Sequence, residues 1–179
     1  TPGYLAGPLP AGAWMLQVET HGLVPGTSCT YTLDISSLDG AVVDSLPAAV
    51  ETAPLPTRPP RGGPAWYRGD LHTHTLHSDG HVPVAGRVAA AEARNLDFFF
   101  LTDHNTVSGL VELDRMSSPR VLPARGMELT TFWGHALCLG GSEWVEWRAE
   151  PGTGEMAAIA RAADAAGRLF IIAHPHAID

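Results

Sequence analysis

The sequence predicts an α/β domain with a parallel sheet, preceded by a small module of β-strands. Short apolar segments such as residues 96–104 alternate with Ala-rich segments such as 82–95, and strands that alternate with helices are typical of βαβ units. A stretch rich in Pro and Gly separates this part from an N-terminal region of alternating apolar and polar residues. These features divide the chain into a β module at 1–53, a linker at 54–65 and an α/β domain at 66–179.

The N-terminal region contains three short segments with the composition of strands, residues 13–20, 29–36 and 41–46. Tyr31 and Leu33 alternate with polar residues, which is the pattern of a strand with one buried face. About 50 residues is little for an independent sandwich. The region is therefore either a small module of its own or part of a larger β-sandwich, followed by an extended linker.

The α/β domain is predicted to contain five strands and three helices. Short apolar runs predict strands that are buried on both faces, because such strands lack a polar alternation. Ala-rich segments that end near Asn95 and Gly167 predict helices. The predicted strands are 67–74, 96–104, 120–129, 135–141 and 168–176, and the predicted helices are 82–95, 107–116 and 154–167.

The composition argues against several classes of protein. The net charge is −8 and all 11 basic residues are Arg, so binding to nucleic acid through many phosphate contacts is not expected. No apolar run approaches the length of a membrane span. Cys29 and Cys138 are too few for a disulfide framework or a thiolate zinc finger. The first ten residues lack the pattern of a signal peptide, which slightly favours the cytoplasm and leaves secretion open.

Residues that can bind metals follow the apolar part of most predicted strands. The carboxyl ends of parallel strands gather on one face of a barrel or an open sheet, so side chains distant in sequence meet there. His135 is the exception, because it opens its strand. The candidates that end their strands are His72, His74, Asp103, His104, Glu128, His174 and His176.

The spacing of the first two histidines favours chelation of one ion. Residues i and i+2 of a strand point to the same side, which places the imidazoles of His72 and His74 together. Asp79 follows in a turn, from which its carboxylate can bend back toward the strand end. A site of His with Asp and Glu suits zinc, manganese or iron better than calcium.

Each candidate also has a simpler interpretation. A lone His at a strand end is most often a hydrogen-bonded surface residue. Asn105 could cap the following helix, and Glu128 could be a half-buried carboxylate paired with Arg125. Taken together, the candidates favour a metal site over these simpler interpretations. Charges at buried strand ends cost several kcal/mol unless they are paired or bind a metal.

Five motifs then resemble a known family. "GDLHTHTLHSDG", "LTDHN", "GMEL", "GHALCLG" and "AHPH" stand in the order of the PHP (polymerase and histidinol phosphatase) family, and the likeness covers residues 66–179. With a β module before "WYRGDLHTHT", the chain looks most like the CehA/McbA-type metallohydrolases of that family. The resemblance implies a distorted (β/α)7 barrel with up to three metals. The family has a further Asp and His after the "HP" strand, so the barrel is expected to be incomplete at the C-terminal end of this sequence.

The resemblance also implies roles for individual residues. Glu128 would bridge two metals, and Glu128 and Asp103 are the catalytic candidates. Asp70 and Asp103 are expected to accept hydrogen bonds that orient the imidazoles. His77 and His176 are expected to face substrate or solvent. The implied metal ligands are His72 and His74 for one ion, His135 and His174 with Glu128 for a second, and Asp79 with His104 for a third.

The leading hypothesis is metal-dependent hydrolysis of a small phosphoester, with a hydroxide that bridges two or three Mn, Zn or Fe ions as the nucleophile. The same chemistry on an ester, amide or carbamate is the first alternative. The second is a non-catalytic module that binds metal, carbohydrate or protein, for which the aromatic surface would come from Trp14, Trp133, Trp144 and Trp147. Neither a nucleic acid nor a membrane is an expected partner, and the oligomeric state stays open.

Overall fold

The computed structural model describes residues 11–16, 18, 24, 26–35 and 64–175. Its helices and strands lie within the last of these ranges. They are β1 (Gly69–Thr73), α1 (Val84–Ala93), β2 (Phe98–Leu101), α2 (Ser108–Leu113), β3 (Leu122–Thr131), β4 (Gly134–Leu139), α3 (Glu155–Ala165) and β5 (Leu169–His174).

The N-terminal β module stays a prediction. The described residues of segments 13–20 and 29–36 are exposed and form no strand. Segment 41–46 and nearly all of the linker at 54–65 lie outside the described residues. The division of the chain into three parts therefore stays a prediction, and the helices and strands of the described residues lie within its third part.

The five strands form one mixed sheet in the order β1-β2-β3-β4-β5. β1 pairs with β2 and β2 with β3 in parallel, whereas β3 with β4 and β4 with β5 are antiparallel. The expected (β/α)7 barrel is wrong: the described residues form a five-stranded sheet with three helices. β3 is ten residues long and is separated from β4 by only Phe132 and Trp133, and so short a connection makes a hairpin, since a parallel pair needs a crossover.

The reversed direction of β4 explains the position of His135. β1, β2, β3 and β5 run the same way, so their carboxyl ends lie at one edge of the sheet. β4 runs the opposite way and brings its first residues to that edge. His135 pairs directly with His174 across β4 and β5. The one candidate that opened a strand is thereby placed beside those that end one.

Two apolar cores support the sheet. The first joins α1 and α2 to β2, and α1 contributes Val84, Val88 and Ala91, which the helical period places on one face. The second joins α3 to the β3–β4 hairpin, and its buried members are Met127, Leu129, Cys138 and Ala163. No helix of the described residues combines the length and the apolar character that a membrane span requires.

Candidate metal centre

Glu128 lies at the centre of a group of histidines. Its side chain is 0% exposed, on β3. Five imidazole rings surround its carboxylate: three come from β1, β4 and β5, and two come from the loops that follow β1 and β2. The nearest nitrogen–oxygen distances are 2.7 Å from His72 Nε2, 3.2 Å from His74 Nε2 and 3.2 Å from His104 Nδ1 to Oε2, and 3.0 Å from His135 Nδ1 and 3.8 Å from His174 Nε2 to Oε1. We call these six residues the Glu128 cluster.

Five residues of the cluster form two candidate ion sites that share Glu128, and His135 belongs to neither of them. In each site the ligand atoms lie within 4.8 Å of one another. His74 and His104 stack at 4.5 Å between ring centroids, and His72 lies 5.3 Å from His174. Site 1 is defined as His72, Glu128 and His174, and site 2 as His74, His104 and Glu128.

This grouping differs from the expected sharing of one ion by His72 and His74. β1 ends at Thr73, so His74 already belongs to the loop that turns toward the end of β2. A register shift between Asp70 and Thr73 accompanies this departure from β2. The geometry places every predicted ligand in or beside the cluster, and their ligand roles stay predictions.

Asp79 borders site 2. Its two carboxylate oxygens lie 3.7 Å from His74 Nδ1 and 3.5 Å from His104 Nε2. Its side chain is 69% exposed, so it is the member of this group that solvent reaches most easily. A carboxylate in this place can complete a site or accept a proton from a molecule bound there.

The donor atoms fit a divalent metal ion, and the identity of that metal stays a prediction. His74 Nδ1 and His135 Nε2 are buried and have no hydrogen-bond partner among the described residues. A buried polar atom without a partner costs about 1–3 kcal/mol, so such atoms are seldom left without a function. Imidazole nitrogens around one carboxylate are the ligands that these ions accept.

The carboxylate of Glu128 stays ionised at neutral pH. Burial alone would raise its pKa, but hydrogen bonds from His74 and His72 and the charge of His104 outweigh burial and lower the pKa to about 2. Burial also lowers the pKa of His74, yet the hydrogen bond to Glu128 and its charge leave that pKa raised. Burial keeps the pKa of His104 lowered, which favours the neutral ring that binds metals.

Asp103 holds the loop after β1. Its buried carboxylate accepts hydrogen bonds from Thr75 N, Thr75 Oγ1 and Ser78 Oγ, each at 2.7 Å. From α1, Arg87 donates to the carbonyl of His74 through Nε at 3.1 Å and Nη2 at 2.5 Å. This loop carries His74 and ends near Asp79, so Asp103 acts on the site through the backbone. A direct catalytic role for Asp103 stays a prediction.

Several other expectations meet a different structure. Asp70 accepts a hydrogen bond from the backbone N–H of His72 at 3.1 Å, where an imidazole was expected. Arg125 pairs with Asp114 at 2.7 Å, and the carboxylate of Glu128 faces the imidazoles instead. His81 is exposed, and His176 lies outside the described residues.

The expectation that His77 faces substrate or solvent is wrong. His77 is 7% exposed. Its Nδ1 lies 2.8 Å from Ser108 Oγ and its Nε2 lies 3.1 Å from Glu112 Oε1. Both partners belong to α2, so the ring of His77 fastens the loop to that helix.

Sequence reasoning missed the roles of Thr130 and Asn105. Thr130 Oγ1 is in close contact with His104 Nδ1. Thr130 lies two residues after Glu128 on β3, so the strand period could have placed it on the same face. The suggestion that Asn105 caps the next helix is wrong, because α2 begins at Ser108 and the side chain of Asn105 binds β3.

Three of the four tryptophans of the proposed aromatic surface follow β3 in the chain. Trp133 and Trp144 are 56% and 44% exposed, and Trp144 Nε1 donates to the carbonyl of Asn105 at 2.9 Å. Trp147 packs against Phe132 at 6.5 Å between ring centroids and joins the second apolar core. A carbohydrate- or protein-binding role for these tryptophans stays a prediction.

No family model matches the chain, and no curated protein is significantly similar to it in sequence. One solved structure that resembles it is a two-domain protein from Bacteroides vulgatus, described as containing a predicted PHP-like metal-dependent phosphoesterase. The TM-score is 0.41 at 22% identity, and the match covers 58% of this chain. It spans 34% of the length of the Bacteroides chain. Membership of the CehA/McbA-type branch has no support from this structure and stays a prediction.

Proposed function

We propose that this chain is a metal-dependent hydrolase in which the Glu128 cluster holds two divalent ions. One observation carries the proposal: a fully buried, ionised carboxylate lies within 4 Å of five imidazoles, four of which form two groups that share it. Both candidate sites include Glu128, so its carboxylate could serve one ion in each of them.

A hydrogen-bond network without ions is the simplest competing explanation, and two features count against it. Such a network would give every buried imidazole nitrogen a partner, whereas His74 Nδ1 and His135 Nε2 have none among the described residues. Protonated rings would also repel one another at the 4.5 Å separation of His74 and His104. Neutral rings around an anionic carboxylate are the arrangement that a cation stabilises.

Bound ions would polarise a phosphoryl or carbonyl oxygen and lower the pKa of a water molecule toward neutrality. The residues of the chain supply the rest. Glu128 would hold both ions, and the hydrogen bonds from Thr75 to Asp103 and from Arg87 to the carbonyl of His74 keep the loop of His74 in place. Asp79 is exposed at the rim, where it can accept a proton from an incoming water molecule.

We further propose a phosphoester as the substrate, in preference to an ester, amide or carbamate. Two divalent ions bring four positive charges, and the carboxylates of Glu128 and Asp79 offset two of them. The imidazoles are neutral when they bind metal. A site with a remaining positive charge stabilises an anionic phosphoryl group more than a neutral carbonyl group.

The test compares hydrolysis of 4-nitrophenyl phosphate and 4-nitrophenyl acetate by protein loaded with Mn²⁺ or Zn²⁺. Glu128→Gln should reduce phosphate hydrolysis by about 100-fold or more, because the neutral amide cannot hold two cations. Glu146→Gln is the matched control, since Glu146 is exposed and pairs only locally with Arg148. Wild-type turnover by Glu128→Gln would refute the two-ion proposal, and hydrolysis of the acetate alone would replace the phosphoester with a carboxyl ester.

A further inference from the structure

Asn105 has an unusual backbone conformation directly after His104. Its φ is +52°, in the left-handed region that Asn tolerates better than most residues. The chain turns away from the sheet at this point. Its backbone N–H still donates to the carbonyl of Glu128 at 2.9 Å.

The segment that follows β2 pairs in parallel with β3 as far as His104. From there the side chain of Asn105 also binds β3. The last bridge between the two segments joins His104 and Glu128. Beyond it, Asn105 Nδ2 donates to the carbonyl of Thr130 at 2.9 Å, and Thr130 N–H donates to Asn105 Oδ1 at 2.8 Å. One amide thus satisfies both backbone groups of Thr130 that point away from β4.

The ring of His104 depends on this arrangement. Thr130 Oγ1 contacts His104 Nδ1, and the opposite nitrogen, Nε2, lies 3.5 Å from Asp79 Oδ2. The hydroxyl can hold the ring in this orientation only while the backbone of Thr130 is held. Asn105 holds that backbone through its side chain. The backbone carbonyl of Asn105 in turn accepts a hydrogen bond from the indole N–H of Trp144 at 2.9 Å, which helps to fix Asn105.

We propose that Asn105 is a positioning residue for site 2, and that it keeps His104 in the orientation in which site 2 binds its ion. The inference rests on the two-ion proposal above. Residues that orient metal ligands without touching the metal typically change metal affinity by about 10–100-fold when they are removed. Site 1 draws on His72 and His174, which Asn105 does not bind, and so it should keep its affinity.

The test uses glycine variants, because Gly adopts a positive φ without strain and only the amide is lost. Asn95→Gly is the matched control for Asn105→Gly: Asn95 has a φ of +53° but lies in the exposed turn after α1. Metal-free protein is titrated with Co²⁺, and the visible absorption of the bound ion and the stoichiometry are recorded. Wild-type protein and Asn95→Gly should bind two equivalents alike. Asn105→Gly should bind one equivalent normally and the second about 10–100-fold more weakly.

A second variant tests the direction of the hydrogen bonds and guards against misfolding of the first. Asn105→Asp keeps the acceptor for Thr130 N–H but places an oxygen against the carbonyl of Thr130. It should show the same selective weakening. If both variants bind two equivalents of Co²⁺ normally, or if both equivalents bind equally weakly, the proposed role of Asn105 is wrong. The two-ion proposal would stand in either case. Absence of Co²⁺ binding by the wild-type protein would overturn the two-ion proposal and this inference together.

Discussion

Replacing Glu128 with Gln should change how the stability of the metal-free protein depends on pH. The pKa of Glu128 is about 2 in the folded protein and 4.5 in the unfolded reference. A group whose pKa is lowered by folding stabilises the fold above its unfolded pKa, and this contribution is lost as the pH falls through the folded pKa. The shift of about 2.5 units corresponds to about 3 kcal/mol at 1.36 kcal/mol per unit.

The partner of Glu128 has the opposite dependence. The pKa of His74 is raised above 6.5, so its contribution is present below pH 6.5 and is lost as the pH rises through the raised pKa. The two contributions overlap between about pH 4.5 and 6.5. The metal-free protein should gain most from this pair within that window, whereas a bound ion, which competes with protons for imidazole, should stabilise most at higher pH.

The measurement is urea denaturation of the metal-free wild-type protein and of Glu128→Gln. It is repeated at several pH values between 2 and 8. The free energy of unfolding of the wild type, relative to that of the variant, should fall by about 3 kcal/mol between pH 6 and pH 2. Glu150→Gln, at an exposed position, is the control and should follow the wild type in parallel. A constant difference between the wild type and Glu128→Gln over this range would refute the assignment of an ionised, histidine-bound Glu128.

Two further changes probe the loop that carries His74. Gly80→Ala would place a Cβ 2.5 Å from the carbonyl carbon of His74. It should therefore destabilise the fold by about 1–3 kcal/mol and weaken Zn²⁺ binding. An unchanged melting temperature and an unchanged Zn²⁺ affinity would contradict this close packing. His77→Ala removes the ring that binds Ser108 and Glu112, so it should lower the melting temperature and leave the number of bound ions at two. His81→Ala, at an exposed position, is the control for His77→Ala. If His77→Ala binds one ion fewer, the purely structural role of His77 is wrong.

The order of helices and strands could be predicted from the sequence because it rests on local patterns. All eight predicted elements of residues 66–179 occur, with boundaries shifted by a few residues. The direction of β4 was missed although a local signal existed. Five residues separate the predicted strands that end at Leu129 and begin at His135, and extension of β3 to Thr131 leaves a two-residue turn. So short a connection excludes the parallel pair that a barrel requires.

The gathering of the histidines could be predicted because they lie at strand ends or in the loops that directly follow them, where topology brings them together. Their division into two groups could not, because it depends on where β1 leaves β2. The role of Asn105 depends on the register between the end of β2 and Thr130, which are far apart in sequence. Such contacts leave no local pattern in the chain.

The metal content of the protein tests the two-ion proposal most directly. Protein loaded with Mn²⁺, Zn²⁺ or Fe²⁺, freed of excess ion and analysed by mass spectrometry should contain two equivalents per chain. Glu128→Gln should contain fewer than one, because each site shares that carboxylate. Wild-type protein that retains no metal, or a Glu128→Gln variant that retains two equivalents, would contradict the two-ion centre.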